Sequence, residues 1–83
     1  MSGNTKQITI GNQNEGDIRN IITAIHDALS EKGYDPISQI VGYLLTEDPT
    51  YITTHNNARN LIRRIDRFEL MQILLRDYIN ASK

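Results

Sequence analysis

The stretch EKGYDPISQIVGYLLTEDPTY, residues 31–51, contains two helix stops with one short helix between them. Gly33 suits the left-handed backbone position just past a helix end, so a first helix should stop there. Asp35 followed by Pro36 combines a helix N-cap with a proline at the first helical position, where no N–H is needed. The sequence therefore predicts that a second helix begins at Pro36.

The second helix carries one apolar stripe at helical spacing. The stripe consists of Ile37, Ile40, Val41, Leu44 and Leu45. It predicts a short helix that is almost wholly packed. Gly42 inside this helix costs about 1 kcal/mol relative to alanine at an exposed position, so either the helix bears that cost or another backbone comes close. Asp48 and Pro49 repeat the cap signal, and a further helical turn should begin near Thr50.

A longer helix precedes this stretch, and its apolar stripe predicts that one side faces the core. The stripe consists of Ile18, Ile21, Ile22, Ile25, Ala28 and Leu29. Either Asp17 or Asn14 can cap the start of this first helix. After residue 51, either Thr53 or Thr54 can cap a third helix.

The last helix is predicted to begin at Asp66, because Asp66 with Glu69 three residues later is typical of a capping box. Apolar residues cover about half of its circumference, more than one side of a monomer core requires. They are Leu70, Met71, Leu74, Leu75, Tyr78 and Ile79. This surplus predicts a homodimer, with deep burial in a monomer as the alternative. The expected fold is all-α: a compact homodimeric bundle of four to five short helices with a flexible N-terminal tail.

Residues 1–16, MSGNTKQITIGNQNEG, differ in composition from the rest of the chain. Only Ile8 and Ile10 offer apolar anchors, too few to offset the entropy lost on ordering, so we expect a flexible tail. Its candidate phosphorylation sites are the hydroxyl side chains of Ser2, Thr5 and Thr9. Residues 17–83 are then expected to form a helical dimerisation and regulatory domain.

Length and composition exclude several classes of protein. The chain has 83 residues, enough for one domain, and no cysteine for a disulfide or a thiolate metal site. It has no signal-peptide core and no apolar run of the roughly 18 residues that a membrane span needs, so we expect a cytoplasmic protein. No nucleophile with a base, phosphate-binding glycine loop or evident pair of catalytic carboxylates is present, which predicts no enzymatic activity and no cofactor. His26 and His55 lack carboxylates at ligand spacing, so no metal site is expected.

The net charge of -1 conceals an asymmetry between the two halves of the chain. Residues 1–54 carry three basic and seven acidic side chains, whereas residues 55–83 carry six basic and three acidic ones. An electrostatic contact between the halves, within one chain or between two, is therefore expected.

Arginines of the basic half form the candidate partner-binding site. They are Arg59, Arg63, Arg64 and Arg67. Guanidinium groups four residues apart on a helix are neighbours and can each hold a phosphate or a carboxylate through two hydrogen bonds. Nucleic acid, a phosphorylated segment and an acidic protein surface are thus candidate partners. The alternative is pairing within the chain, for instance with Glu47, Asp48 or Asp66.

The stretch EKGYDPISQIVGYLLTEDPTY, followed by NNARNLIRRIDRFEL and a terminal RDYI, resembles the IreB/ReoM family of small cytoplasmic regulators from Gram-positive bacteria. The resemblance covers roughly residues 17–80 and includes EKGY, the DPI(S/N)QIVGY core, a DP turn and the ARNxIR signature, in order and without gaps. It implies a homodimeric helical protein without enzymatic activity.

The resemblance also implies a role in cell-wall control. Members of the family are substrates of a transmembrane PASTA-type serine/threonine kinase, and they act on peptidoglycan precursor synthesis and cephalosporin resistance. In at least part of the family, the route is regulated proteolysis of the first committed enzyme of peptidoglycan synthesis by a Clp protease, and phosphorylation relieves the regulator's effect. The implied partners are a second copy of the chain, this kinase, and a protein of the Clp-protease or cell-wall pathway.

By position, the principal phosphorylated threonine of the family falls on Thr5 and the other position on Ser2. The three residues after Thr5 depart from the Val, Arg and Phe usual in the family, so Thr9 is a competing acceptor.

Family arginines that are important for regulation match Arg59, Arg63 and Arg67. A further one falls on Thr54, with His55 replacing the aromatic residue beside it. The resemblance thus places the regulatory arginines within the basic half of the chain.

The residues also allow an interpretation from another class, a small nucleic-acid-binding protein similar to a helix-turn-helix. In that interpretation the second helix, a turn and the segment of residues 59–67 imitate the motif, with Asn60 and the arginines in a groove. The net acidic charge and the long connection over residues 45–55 argue against it, so we expect nucleic acid not to be the partner.

Overall fold

The computed structural model describes residues 14–82, and every regular element within them is helical. The helices are α1 (Glu15–Glu31), α2 (Pro36–Thr46), α3 (Ala58–Arg63) and α4 (Arg67–Ser82), with two short 3-10 turns, Pro49–Tyr51 and His55–Asn57, between α2 and α3. The predicted all-α fold is confirmed for this part of the chain.

Helix α1 begins at Glu15 because the Asn14 side chain caps it, accepting the Asp17 N–H at 2.8 Å. The helix therefore includes the last two residues of the segment 1–16, which composition assigned to a flexible tail. Of the two predicted caps, Asn14 and Asp17, the structure uses Asn14. The helix ends as predicted before Gly33, which has a left-handed φ of +84°.

Helix α2 begins as predicted at Pro36, with Asp35 Oδ1 accepting the N–H groups of two residues in the first turn. The prediction that α2 is almost wholly packed is wrong for a single chain. Its buried residues are Ile40 and Tyr43, whereas Ile37, Val41 and Leu45 are exposed, Leu45 at 80%. These three lie at i, i+4 and i+8 along one line that the neighbouring elements of the same chain do not cover. We call this line the α2 outer stripe.

Gly42 admits the aromatic ring of Tyr51, which belongs to the first 3-10 turn. A methyl group at position 42 would lie 2.5 Å from both Cδ1 and Cε1 of that ring. Another part of the chain thus comes close at Gly42, but it is a side chain and not the backbone that the sequence suggested. Gln39 Nε2 also donates to the Tyr51 carbonyl at 2.8 Å, so α2 holds this turn at two points.

The first 3-10 turn is capped as the Asp-Pro signal predicts. Asp48 Oδ1 accepts the Thr50 N–H at 3.0 Å and the Thr50 hydroxyl at 2.7 Å. These hydrogen bonds lower the pKa of Asp48 below its usual range. The turn leads directly to Ile52, which is fully buried.

Helix α3 begins later than the threonine caps predict. Thr53 Oγ1 accepts the His55 N–H at 3.2 Å and opens the second 3-10 turn instead of α3 itself. Asn56 and Asn57 then both adopt left-handed backbone angles, with φ of 52° and 64°. Asparagine tolerates this conformation better than most residues, and the reversal postpones the helix to Ala58.

The core lies between α1, α2 and α3, with the chain around residue 52 at its centre. Its buried residues are Ile18, Ile25, Ala28, Leu29, Ile40, Tyr43, Ile52, Ala58, Ile62, Ile65 and Leu70. Only Leu70 of this set belongs to α4. Helix α4 is therefore the least embedded of the four helices in the single chain.

Helix α4 begins after Asp66, whose Oδ1 accepts the N–H groups of Phe68 at 2.9 Å and Glu69 at 3.3 Å, confirming the predicted new start. Most of its apolar surface is exposed, and we call this surface the α4 apolar face. It consists of Phe68, Met71, Leu74, Leu75, Tyr78 and Ile79. Within residues 14–82, no helix combines the length and the apolar character needed to cross a membrane.

Candidate functional site

The arginines predicted to bind a partner lie on α3, on the short connection after it and at the first residue of α4. Arg59 turns inward, and its Nε donates to the carbonyl oxygen of buried Ile52 at 2.8 Å. Its positive charge also contributes to lowering the pKa of Asp48, although the hydrogen bonds from Thr50 contribute more. Arg59 thus fixes the connection between α2 and α3.

Arg67 is also engaged within the chain. Its Nη1 donates to the Leu44 carbonyl at 2.5 Å, and its Nη2 lies 2.6 Å from a carboxylate oxygen of Glu47. Leu44 lies in the last turn of α2, where carbonyl groups lack partners within the helix, and Glu47 is the C-cap with a left-handed φ of 61°. Arg67 therefore joins the end of α2 to the start of α4. The alternative of pairing within the chain, with Glu47 as partner, is confirmed for this residue.

Arg63 and Arg64 have a different environment, since both side chains are exposed. The Arg63 guanidinium makes no hydrogen bond or ion pair with any residue of the segment 14–82. Arg64 borders a shallow cavity with Asp17, Asn20 and Ile21 of α1, and it is not free of interactions. The predicted arginine site thus divides into two residues that hold the backbone and two that face outward.

The predicted contact between the acidic and basic halves exists inside the chain. Besides the Arg67 to Glu47 ion pair, the halves share a hydrogen bond of 2.8 Å between His55 Nε2 and Glu31 Oε1 at the end of α1. His55 is half-buried, and Thr54 beside it is exposed. Part of the charge asymmetry is therefore compensated between neighbouring elements of one chain.

A second ionic cluster ties α4 to α1, and we call it the α1–α4 clasp. Arg19 Nη2 lies 3.1 Å from Glu15 Oε2 and 3.1 Å from Asp77 Oδ2, and Arg76 Nη2 lies 2.5 Å from Glu15 Oε1. The hydrogen bonds to Asp77 and Glu15 raise the pKa of Arg19 above its usual range. Sequence reasoning missed this cluster, because Arg19 and Asp77 are 58 positions apart. Of its ion pairs, only the one between Glu15 and Arg19, four residues apart on α1, could be predicted from spacing along a helix.

The three predicted phosphorylation sites, Ser2, Thr5 and Thr9, lie outside residues 14–82. Within that range, no group of three metal-binding side chains is close enough to hold an ion. The chain between α2 and α3 contains two 3-10 turns, and no feature of the described residues favours the nucleic-acid alternative.

The fold and its surfaces define a small all-α domain with exposed apolar and cationic regions. A family model described as IreB regulatory phosphoprotein matches residues 3–80. The chain is also similar to a UPF0297 protein of Ruminiclostridium cellulolyticum, with 45% identity over 75 residues that cover 90% of this chain and 85% of the relative. The chain belongs to the IreB family, and the resemblance inferred from its motifs is confirmed. The family description is that of a regulatory protein and names no enzymatic activity.

Proposed function

We propose that the chain is a non-enzymatic cytoplasmic regulator and a substrate of a transmembrane PASTA-type serine/threonine kinase. In this proposal it controls peptidoglycan precursor synthesis, and with it cephalosporin resistance, through regulated proteolysis by a Clp protease. Membership of a family described as regulatory phosphoproteins is the observation that carries the proposal. Of the arginines that match the family motif, the exposed Arg63 offers a contact for a protein partner.

Hydrogen bonds engage five of the serine and threonine hydroxyls in the described residues, whereas Ser30 and Thr54 are exposed. The hydroxyls of Ser38 and Thr50 donate to the carboxylates that cap their own turns, Asp35 and Asp48. A phosphate at either position would stand against a carboxylate and disrupt the cap. Thr23, Thr46 and Ser82 donate to backbone carbonyls of their own helices. Ser2, Thr5 and Thr9 remain the proposed acceptors.

Incubation with the catalytic domain of a PASTA-type kinase, followed by mass spectrometry, tests this proposal. We expect phosphate on Thr5, Thr9 or Ser2 and none on a variant with alanine at all three positions. Ser30→Ala is the matched control, because Ser30 is an exposed hydroxyl of the folded part and its loss should leave phosphorylation unchanged. An unmodified protein, or phosphate found only within residues 14–82, would contradict the proposed acceptors.

We also propose that the regulator is a homodimer. The α2 outer stripe and the α4 apolar face together expose more large apolar side chains than a small monomer usually shows in contiguous patches. A second copy covers such a surface by symmetry, since the same patch can then meet itself. The exposed Arg63 stays available to another partner if the apolar surfaces form the contact.

The Leu75→Glu variant tests the dimer. Leu75 is 61% exposed on the α4 apolar face, and a carboxylate there should weaken self-association roughly tenfold or more. Asn80→Glu adds the same charge on the side of the same helix that faces away from the α4 apolar face, so it should leave the sedimentation coefficient unchanged. Sedimentation velocity across a concentration series distinguishes the two variants. A wild-type chain that sediments as a monomer throughout would refute the dimer, and equal behaviour of the two variants would exclude this face.

A further inference from the structure

The α1–α4 clasp has the chemistry of a site that can accept another anion. Its side chains are exposed by roughly half, between 43% and 61%. Ion pairs in such positions are weak and exchange readily for a stronger acceptor. Both guanidinium groups use only Nη2 in their bonds to the described residues, so Nε and Nη1 of each remain available.

The position of the clasp determines which anion can reach it. Residues 1–13 join the described chain at Asn14, and the next residue, Glu15, is the carboxylate shared by Arg19 and Arg76. An extended chain covers about 3.3–3.6 Å per residue, so Thr9 has a reach of about 17 Å from Asn14 and Thr5 a reach of about 30 Å. Either side chain can therefore lie beside the clasp.

We propose that Arg19 and Arg76 form the receiving site for a phosphate group carried by residues 1–13 of the same chain. This inference rests on the proposed phosphorylation of that segment. A phosphate carries about -1.5 to -2 charges and accepts paired hydrogen bonds from guanidinium groups, which makes it a stronger acceptor than the carboxylates of Glu15 and Asp77. It displaces both carboxylates and binds the two arginines together.

Docking there connects the modification to the position of α4. In the single chain, α4 meets α1 through this clasp and through apolar contacts around Leu70 and Ile73. The exchange replaces the direct ion pairs between α1 and α4 by a phosphate of the N-terminal segment that bridges Arg19 of α1 and Arg76 of α4. Leu75, Tyr78 and Ile79 of the α4 apolar face lie, like Arg76, in the second half of α4. The phosphorylated chain thus holds this face differently from the unmodified one.

Protein with phosphothreonine installed at position 5 or 9 during translation tests the site without any kinase. We expect the Nε–Hε NMR signals of Arg19 and Arg76 to shift relative to unmodified protein, while that of Arg63 stays in place. The phosphorus resonance should differ from that of a phosphorylated 1–13 peptide. In the Arg19→Gln, Arg76→Gln variant it should return to the peptide value, and in Arg63→Gln it should not.

A second variant keeps the test valid if the double substitution disturbs folding. Glu15→Gln removes the competing carboxylate and keeps both arginines, so it should enlarge the phosphorus shift. The site is refuted if both phosphoproteins give the peptide resonance, or if Arg63→Gln abolishes the shift. Failure of the kinase assay on the unmodified protein would overturn the proposed function alone, because the phosphate is installed here independently.

Discussion

Replacing Arg67 by alanine is expected to lower the free energy of unfolding by about 2 kcal/mol. Its side chain is only 30% exposed and bonds both the Leu44 carbonyl and the Glu47 carboxylate. Hydrogen bonds that involve a charged group contribute about 1.5–3 kcal/mol, and the truncation leaves a carbonyl of the last α2 turn without its donor. Urea denaturation followed by circular dichroism measures the change.

Arg63→Ala is the matched control, since this arginine has no partner within residues 14–82. Its free energy of unfolding should stay within about 0.5 kcal/mol of the wild-type value. Both variants must be compared at one protein concentration, because self-association adds to apparent stability. Equal losses from the two substitutions would contradict the division of the arginines into backbone-holding and outward-facing residues.

The same pair of variants separates two causes of lost regulation. Under the proposed function, Arg63→Ala should impair control of the partner in cells while the protein remains folded. Arg67→Ala should impair it together with stability, because it loosens the joint between α2 and α4. Melting curves measured beside the cellular effect therefore show whether a family arginine acts by contact or by fixing the fold.

Local signals in the sequence predicted the helix boundaries well. Asp35 with Pro36, and Asp66 with Glu69, specify starts through hydrogen bonds that close within three residues, so no tertiary information is needed. The start of α3 escaped prediction for the opposite reason. Two consecutive left-handed asparagines depend on how the chain must turn between Ile52 and Ala58, and that path is set by the core.

The division of roles among the arginines also could not be predicted from spacing. Arg59 and Arg63 are four apart, yet one reaches the Ile52 carbonyl and the other faces outward. Arg59 and Arg67 each donate to a backbone carbonyl, and because every residue carries one, the sequence does not indicate which carbonyl is the acceptor. The α2 outer stripe shows the same limit, because periodicity identifies an apolar line without indicating whether its own chain or another covers it.

The Gly42→Ala variant is expected to be destabilised by about 1 kcal/mol, although alanine is the better helix former. The added methyl group would lie 2.5 Å from two ring carbons of Tyr51, too close for the ring to stay. The bond from Gln39 to the Tyr51 carbonyl holds the backbone in place, so the ring itself must swing away from α2. We expect an overpacking cost of about 1–3 kcal/mol, which exceeds the gain of about 1 kcal/mol in helix propensity.

Removing the ring should reverse the sign of this effect. In a Tyr51→Ala background nothing opposes the new methyl group, and Gly42→Ala should then stabilise the chain by about 0.5–1 kcal/mol. The four proteins of this double-mutant cycle should show a coupling of about 2 kcal/mol by urea denaturation. If Gly42→Ala had the same effect in both backgrounds, the ring would not be the reason for a glycine in α2. The reversal would show that a glycine at position 42 allows the first 3-10 turn to pack against α2. This packing in turn sets the course of the chain toward Ile52 and the arginines that follow.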